Sequence, residues 1–326
     1  MSLFQSTPDA VVLANNITFL SAKEITEDVF VKKCHSHNDY WRKIPCLEAI
    51  RHGVQSIEAD IWAFDEDFST ELTETPSTSN DTVTTQQNFK AGELYVGHDL
   101  YYLNETWTLE KLYLDPIFEL IESANPEFAA DNKYNTGESP HGIFYGDVGA
   151  TLYLFLDTKL DANTSYSYVK PMLQRFIDKD YLTYYNDSAS KWVTRPLTIV
   201  MTGNLPVEMV QAEEPRFVTL DGKLPWFNST SSDETMKDIA KYSVIASASY
   251  SQMFGGGNSF KTRMFNETEK AILAETYSLC HKYGVFSRIW DHVNWPRYIR
   301  DGQNKDIITL GADFLNIDEM DVADAF

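Results

Sequence analysis

Ser56-Ile57-Glu58-Ala59-Asp60-Ile61-Trp62 is the most informative stretch of the chain. Ile57, Ala59 and Ile61 alternate with Glu58 and Asp60, the period of a strand whose successive side chains point to opposite faces. One face is apolar, and the other carries two carboxylates. Similar short β-rich runs recur at 29–34, 152–158, 197–202, 217–220, 244–249, 285–290 and 314–317. Helical patterns lie between them at 45–51, 109–121, 168–178, 207–212, 267–283 and 298–309. Eight buried-looking strands alternating with helices predict an α/β fold, a (β/α)8 TIM barrel in preference to an open sheet. No glycine-rich phosphate loop follows the first strand, which argues against a dinucleotide fold.

The expected organisation is an N-terminal extension over 1–28 and a single barrel domain over 29–326, with one insertion at about 67–92. From Ser69 to Thr85, ten of seventeen residues are Ser or Thr, mixed with Glu71, Glu74 and Asp81. So little apolar surface predicts a solvated insertion without order of its own. Beyond it, the run from Glu93 to Asp99 reads as a short extra strand or hairpin near the barrel mouth.

The 326 residues are 43% apolar and 13% aromatic, the composition of a globular protein. Forty-eight acidic residues against 27 basic ones leave a formal charge of -21. Such a surface repels nucleic acid and anionic bilayers, so neither is an expected partner. No apolar run is long enough for a transmembrane segment. Cys34, Cys46 and Cys280 lack metal-ligand spacing. Cys34 and Cys46 could pair in an oxidising compartment or remain two packed thiols. Glycosylation acceptors stand at Asn16, Asn80, Asn104, Asn163, Asn186, Asn228 and Asn266, where chance placement gives about three. The expectation is a secreted or lumenal glycoprotein whose leader has been removed.

In such a barrel, reactive groups stand where strands end, on the face built by the βα loops. The first strand runs into His35-Ser36-His37-Asn38-Asp39-Tyr40, and the third ends Asp157-Thr158-Lys159. Glu58, Asp60 and Asp157 together make a hard oxygen site suited to Mg²⁺ or Ca²⁺. His98, after Gly97, is placed to face the same mouth. Two histidines beside such a cluster can divide the work of phosphodiester cleavage, one taking a proton and the other giving one. The metal and Lys159 would neutralise phosphoryl charge. Asn38 either binds a phosphate oxygen or caps the loop. His52, His141, His281 and His292 read as structural.

His35, Glu58-x-Asp60, Gly97-His98-Asp99 and Asp157-x-Lys159 resemble the glycerophosphodiester phosphodiesterase-like barrels, which include phosphatidylinositol phospholipase C relatives and the spider-venom sphingomyelinase D group. The stretch from His35 to Lys43 with Glu58-Ala59-Asp60-Ile61-Trp62 is closer still to the fungal "altered inheritance of mitochondria protein six" family. Tyr181 to Tyr185, Arg195 to Thr198, Thr202-Gly203-Asn204 and Arg288-Ile289-Trp290 extend that resemblance from about Lys33 to Asp318. It implies a metal-dependent phosphoric diester hydrolase or lyase acting on a glycerophosphodiester or (lyso)phospholipid. His35 and His98 would be the acid/base pair, with His37 a second candidate at the first strand. Glu58, Asp60 and Asp157 would hold the metal, Lys159 would contact phosphate, and Trp290 would line the substrate pocket. Ser36 stands where glycerophosphodiesterases carry arginine, and Asp157-x-Lys159 is more like the venom enzymes.

Two other readings compete. His35-x-His37 with Asp318 after the eighth strand is the opening of an amidohydrolase-type metal site, but the fifth and sixth strands carry no histidine. A non-catalytic barrel that binds a ligand is the other. A glycosidase is disfavoured because Glu58 and Asp60 come from one strand, too close to flank a sugar bond.

Overall fold

The structure, a computed structural model, describes residues 21–74, 82–126, 139–255 and 262–325. In chain order its strands are β1 (Lys32–Ser36), β2 (Val54–Ala63), β3 (Phe68–Glu74), β4 (Val83–Phe89), β5 (Leu94–Val96), β6 (Leu152–Thr158), β7 (Tyr184–Asn186), β8 (Lys191–Val193), β9 (Leu197–Gly203), β10 (Val218–Leu220), β11 (Gly222–Lys223), β12 (Ile245–Ser249), β13 (Phe286–Trp290) and β14 (Phe314–Ile317). Parallel pairing runs β10-β9-β6-β2-β1-β14-β13-β12-β11. Its two ends, β10 and β11, are separated only by Asp221. The fifth strand of the barrel is therefore split at that residue, and the sheet is the expected TIM barrel.

All ten residues of β2 are buried because both of its faces are covered. Ile57, Ala59 and Ile61 join the large apolar shell between strands and helices. The barrel interior has a smaller core of its own: Tyr153, Phe155, Val200, Ile245 and Phe314, with Phe286 packed against it. This apolar plug fills the lower barrel, so the polar residues one or two steps further along each strand gather at the mouth. Ser56, Glu58 and Asp60 climb the inner face of β2 in that order.

Two expectations need correction. β1 begins at Lys32 and ends at Ser36, not at 34, so His35 lies within the strand and not in the loop after it. Its pairing with Ser56 on β2 and Asn316 on β14 sets that position. Second, the Ser/Thr-rich insertion does order itself over its described residues. β3 and β4 pair antiparallel in full register from Phe68↔Phe89 to Glu74↔Val83. The register is anchored at its base, where Phe68 stacks on Phe89 at 4.9 Å and Phe89 meets Tyr95 edge-on at 4.8 Å. Composition averaged over the insertion hid these terminal aromatics. Cys34, Cys46 and Cys280 are all free and buried, which is the packed-thiol alternative.

The 93–99 stretch forms β5, which adds antiparallel to β2 through Ile61↔Val96 and Ala63↔Leu94. Residues 1–20, including Asn16, and residues 75–81, including Asn80 and Asp81, lie outside the described residues. A short helix, α1 (Ala22–Thr26), precedes the barrel. It closes the end where the strands begin: Thr26 Oγ1 donates to the Ile143 carbonyl at 2.8 Å, and the Ala22 amide donates to Ser123 Oγ at 2.8 Å.

Candidate active site

The loop after β1 is held by three polar anchors. Asp39 is fully buried; its carboxylate accepts from Ser36 Oγ at 2.7 Å, the Cys46 amide at 2.6 Å and the Tyr113 hydroxyl at 3.1 Å. Arg42 ties the loop to β14, its Nε reaching Ser36 Oγ at 3.1 Å and its guanidinium the carbonyls of Ile317 and Asp318. Asn38 adopts φ +49°, a left-handed turn that asparagine tolerates. Its amide is thereby aimed at Glu58 Oε2, 3.3 Å away.

On this frame the two first-strand histidines occupy different depths. His35 is fully buried beside Phe155. Its Nδ1 lies 2.7 Å from Ser56 Oγ and its Nε2 3.3 Å from Glu58 Oε2. Burial, with the nearby Arg288 charge, pushes the imidazole down to about 3, so it is neutral. The arrangement fits a proton on Nε2, donated to Glu58, with Nδ1 accepting from Ser56. His37, two residues on, sits one layer nearer the mouth. Its Nδ1 donates to Asp318 Oδ1 at 2.7 Å, leaving Nε2 facing Glu58 across 4.0 Å. Burial alone would lower His37, but the Asp318 hydrogen bond and the Glu58 charge outweigh it and raise its pKa. Asp318 is in turn held below the usual carboxylate range by His37, against its own burial. The Asn294 amide donates to its other oxygen.

Glu58, Asp60 and Asp157 offer carboxylate oxygens that lie within 4.8 Å of one another. The register that joins them is Asp60↔Asp157 across β2 and β6. Burial pushes Glu58 up, but the His35 hydrogen bond and the charges of His37 and Arg288 hold it below the carboxylate range. Asp60 goes the other way. Burial and the Glu58 charge push it up to about 7, against the opposing pull of Lys159. Burial raises Asp157 as well. Lys159 Nζ lies 2.9 Å from Asp60 and 3.0 Å from Asp157. It bridges two of the three carboxylates and keeps its own proton firmly, despite burial. Gly203 packs beneath Asp157 with φ +70°; a Cβ there would lie 2.1 Å from Asp157 Oδ1.

His98 stands at the Asp60 end of the group, half-exposed, with Nδ1 3.4 Å from Asp60 Oδ2 and 3.1 Å from the Tyr40 hydroxyl. Tyr40 donates to Asp60 at 2.7 Å and also reaches Asn38 Oδ1 at 2.5 Å. Trp290 lies 6.3 Å from His37. Together with Trp295 and Asp318 they line a cleft of about 260 Å³. Every site residue expected from sequence is thus at the mouth or, for His35, directly below it. The residues that sequence reasoning missed are supports: Tyr40, Ser56, Gly203, Arg288, Asn294 and, in this role, Asp318. Tyr40 lay inside the quoted motif and Asp318 one residue past β14, so position was their only signal. Arg288 is buried under the site, donating to Ser247 at 3.0 Å and Asn316 at 2.9 Å. Nearby, burial pushes Asp221 up to about 6 against the Arg288 charge. Of the remaining histidines, His52 pairs with Asp324 and His281 with Asp313, both away from the carboxylates. His292 binds Asn304 and lines the same cleft as His37. No histidine stands on β10, β11 or β12, so the amidohydrolase ligand set is absent among the described residues.

A family model described as an AIM6-like phosphodiesterase domain matches residues 23–88 and 83–221. That span contains both first-strand histidines, His98, the three carboxylates and Lys159. "Altered inheritance of mitochondria protein 6" of Eremothecium gossypii is 31% identical over 93% of this chain and 72% of its own. The protein of the same name from Saccharomyces cerevisiae is 29% identical over 92% of this chain and 72% of its own. That from Candida glabrata is 29% identical over 93% and 73%. No solved structure matches the chain. The chain belongs to the AIM6-like phosphodiesterase family.

Proposed function

We propose that this member of the AIM6-like phosphodiesterase family is a metal-dependent phosphoric diester hydrolase or lyase with His37 and His98 as its acid–base pair. The observation that carries the reading is a shared orientation. Both imidazoles are engaged at Nδ1, His37 by Asp318 and His98 by Asp60 and Tyr40, at opposite ends of one carboxylate group. His98 keeps Nε2 for substrate, and His37 makes no hydrogen bond at Nε2, which faces Glu58 across 4.0 Å. His35, the expected first acid/base, makes contacts at both nitrogens and has no exposed surface. Its role in this reading is to orient Glu58.

The donor set fits a divalent ion. It consists of hard oxygens, Asp60 Oδ1 is buried without a hydrogen-bond partner, and the Lys159 ammonium already occupies the place of a cation between two of the carboxylates. Glu58, Asp60 and Asp157 would hold Mg²⁺ or Ca²⁺. When bound, the ion would supply charge neutralisation for the phosphoryl oxygens. The remaining chemistry belongs to the chain. Lys159, released from two carboxylates, can turn its ammonium to phosphate. His37, raised by Asp318 and Glu58, holds the proton for the leaving oxygen as the P–O bond breaks. His98 Nε2 takes the proton of the attacking oxygen as the new P–O bond forms. Water as the attacking group yields a phosphomonoester, and a substrate hydroxyl yields a cyclic phosphate. A glycerophosphodiester or (lyso)phospholipid is the substrate class in either case.

The test is turnover of glycerophosphodiesters, lysophospholipids and sphingomyelin with added Mg²⁺, with phosphorus NMR separating the two products. His37→Ala and His98→Ala should each lose roughly 10²–10⁴ in rate while still binding the metal. Absence of turnover together with absence of divalent-ion binding would reject the enzyme. A His35→Ala loss larger than that of His37→Ala would return the acid–base role to His35.

A further inference from the structure

The described residues expose nine large aromatic side chains, and they are unevenly distributed. Trp41, Trp226, Trp295 and Tyr298 stand on segments that follow the parallel strands β1, β11 and β13, Tyr298 in the first turn of the helix after β13. Tyr101 and Tyr102 follow β5, which lies antiparallel against the upper end of β2. In a barrel the segments that follow the parallel strands share one face, the mouth, and contact with Trp41 places Tyr102 at the same face. Phe68, at the base of the β3–β4 hairpin, also belongs to a loop of that face. Only Phe30 and Tyr145 lie on segments that precede strands, at the opposite end. Exposure at the mouth is large: 88% for Tyr101 and 74% for both Trp295 and Tyr298. Large apolar side chains exposed together on one face cost solubility and mark an interaction site.

The collar runs directly into the candidate active site. Trp41 packs 5.1 Å from Tyr102 and 6.4 Å from His98. Across the mouth, Trp295 lines the cleft that contains His37 and Asp318. A surface docked on the collar would therefore be delivered to the two imidazoles.

We propose that this collar docks the protein on a zwitterionic phospholipid surface. Trp and Tyr combine an apolar body with a polar tip and settle at the headgroup level of a bilayer. Charge selects the kind of lipid. A chain with net charge -21 is repelled by an anionic leaflet. A zwitterionic surface carries no such penalty, and its outermost group is an ammonium that aromatic faces and carboxylates attract. The choice of a lipid as occupant, over a protein, rests on the phosphodiester reading above, because a phospholipid headgroup presents that bond at the depth of the collar.

Binding is measured by flotation with phosphatidylcholine vesicles, using the full chain in EDTA so that turnover plays no part. Wild type and His37→Ala should float equally. The triple variant Tyr101→Ser, Trp226→Ser, Tyr298→Ser, checked for an unchanged melting temperature, should bind at least about tenfold more weakly. The triple variant should also hydrolyse a soluble glycerophosphodiester at the wild-type rate while losing vesicular substrate by the same factor as binding. Failure to float on phosphatidylcholine, binding only when phosphatidylserine is added, or wild-type binding by the triple variant would each overturn the docking surface. So would a dimer in sedimentation that the triple substitution abolishes, since a second copy would then cover the collar. Soluble turnover without flotation rejects docking and leaves the phosphodiesterase standing; flotation without any turnover does the reverse.

Discussion

Asp60→Asn should remove a pH dependence built into the carboxylate group. Asp60 is 1% exposed. Burial and the Glu58 charge push its pKa from 3.8 up to about 7, against Lys159. The folded state therefore holds a proton that the unfolded chain gives up near its ordinary value. The stability this contributes is full below 3.8 and is lost as pH rises through 7. Each pH unit in that window removes ~1.4 kcal/mol, or about 3 kcal/mol between pH 5 and pH 7. An unfolding entropy of roughly 2.1 cal/mol/K per residue over the chain converts this to a fall of about 4 °C in melting temperature. Asparagine cannot ionise, so melts of both proteins in EDTA should diverge by that amount, the variant gaining on wild type as pH climbs from 5 to 7. Saturating Mg²⁺, at about one hundred times its dissociation constant, should return about 2.7 kcal/mol to the wild type and less to the variant. Parallel pH profiles in EDTA would refute the argument, because Asp60 would then titrate alike in both states.

Two other predictions test the frame around the cluster. Gly203→Ala places a Cβ 2.1 Å from Asp157 Oδ1 at φ +70°, so it should lower stability by about 1–2 kcal/mol and weaken divalent-ion binding in calorimetry. Unchanged ion affinity would remove Asp157 from the ligand set. Asp318→Asn removes the carboxylate that raises His37 against its burial, so the basic limb of the pH–rate profile should move to lower pH by about one unit. A profile that stays in place would show that His37 is not the group whose proton is used.

Much of this molecule was legible before its fold was known, and the reasons differ from residue to residue. The third and eighth strands, Leu152–Thr158 and Phe314–Ile317, were readable to the residue because runs of buried apolar residues end abruptly in polar ones. Glu58 and Asp60 announced a shared face by their spacing. The hairpin of the insertion was illegible because its order comes from Phe68, Phe89 and Tyr95 at its base, all three outside the Ser/Thr-rich window. Tyr40 had only its place in the motif to mark it, Asn294 carried no signal because its role is a contact with Asp318, distant in the chain, and Gly203 owes its importance to the Asp157 carboxylate it packs against on the neighbouring strand.

Alternation along a strand is a local property, and by itself the sequence determined that Glu58 and Asp60 share one face and that Asp157 and Lys159 share another, while it left His35 and His37 in the loop after the first strand. Depth is not local. How far each residue stands from the mouth depends on the stagger between neighbouring strands, which is set by hydrogen-bonded pairing and by the plug of Tyr153, Phe155 and Phe314 beneath. That pairing carried β1 two residues further than its own pattern indicated. It buried His35 against Ser56 and placed His37 between Asp318 and Glu58. Two histidines with the same inward face were thus separated into a neutral support and a raised, partly exposed acid, a distinction that only burial and charge in the assembled barrel decide.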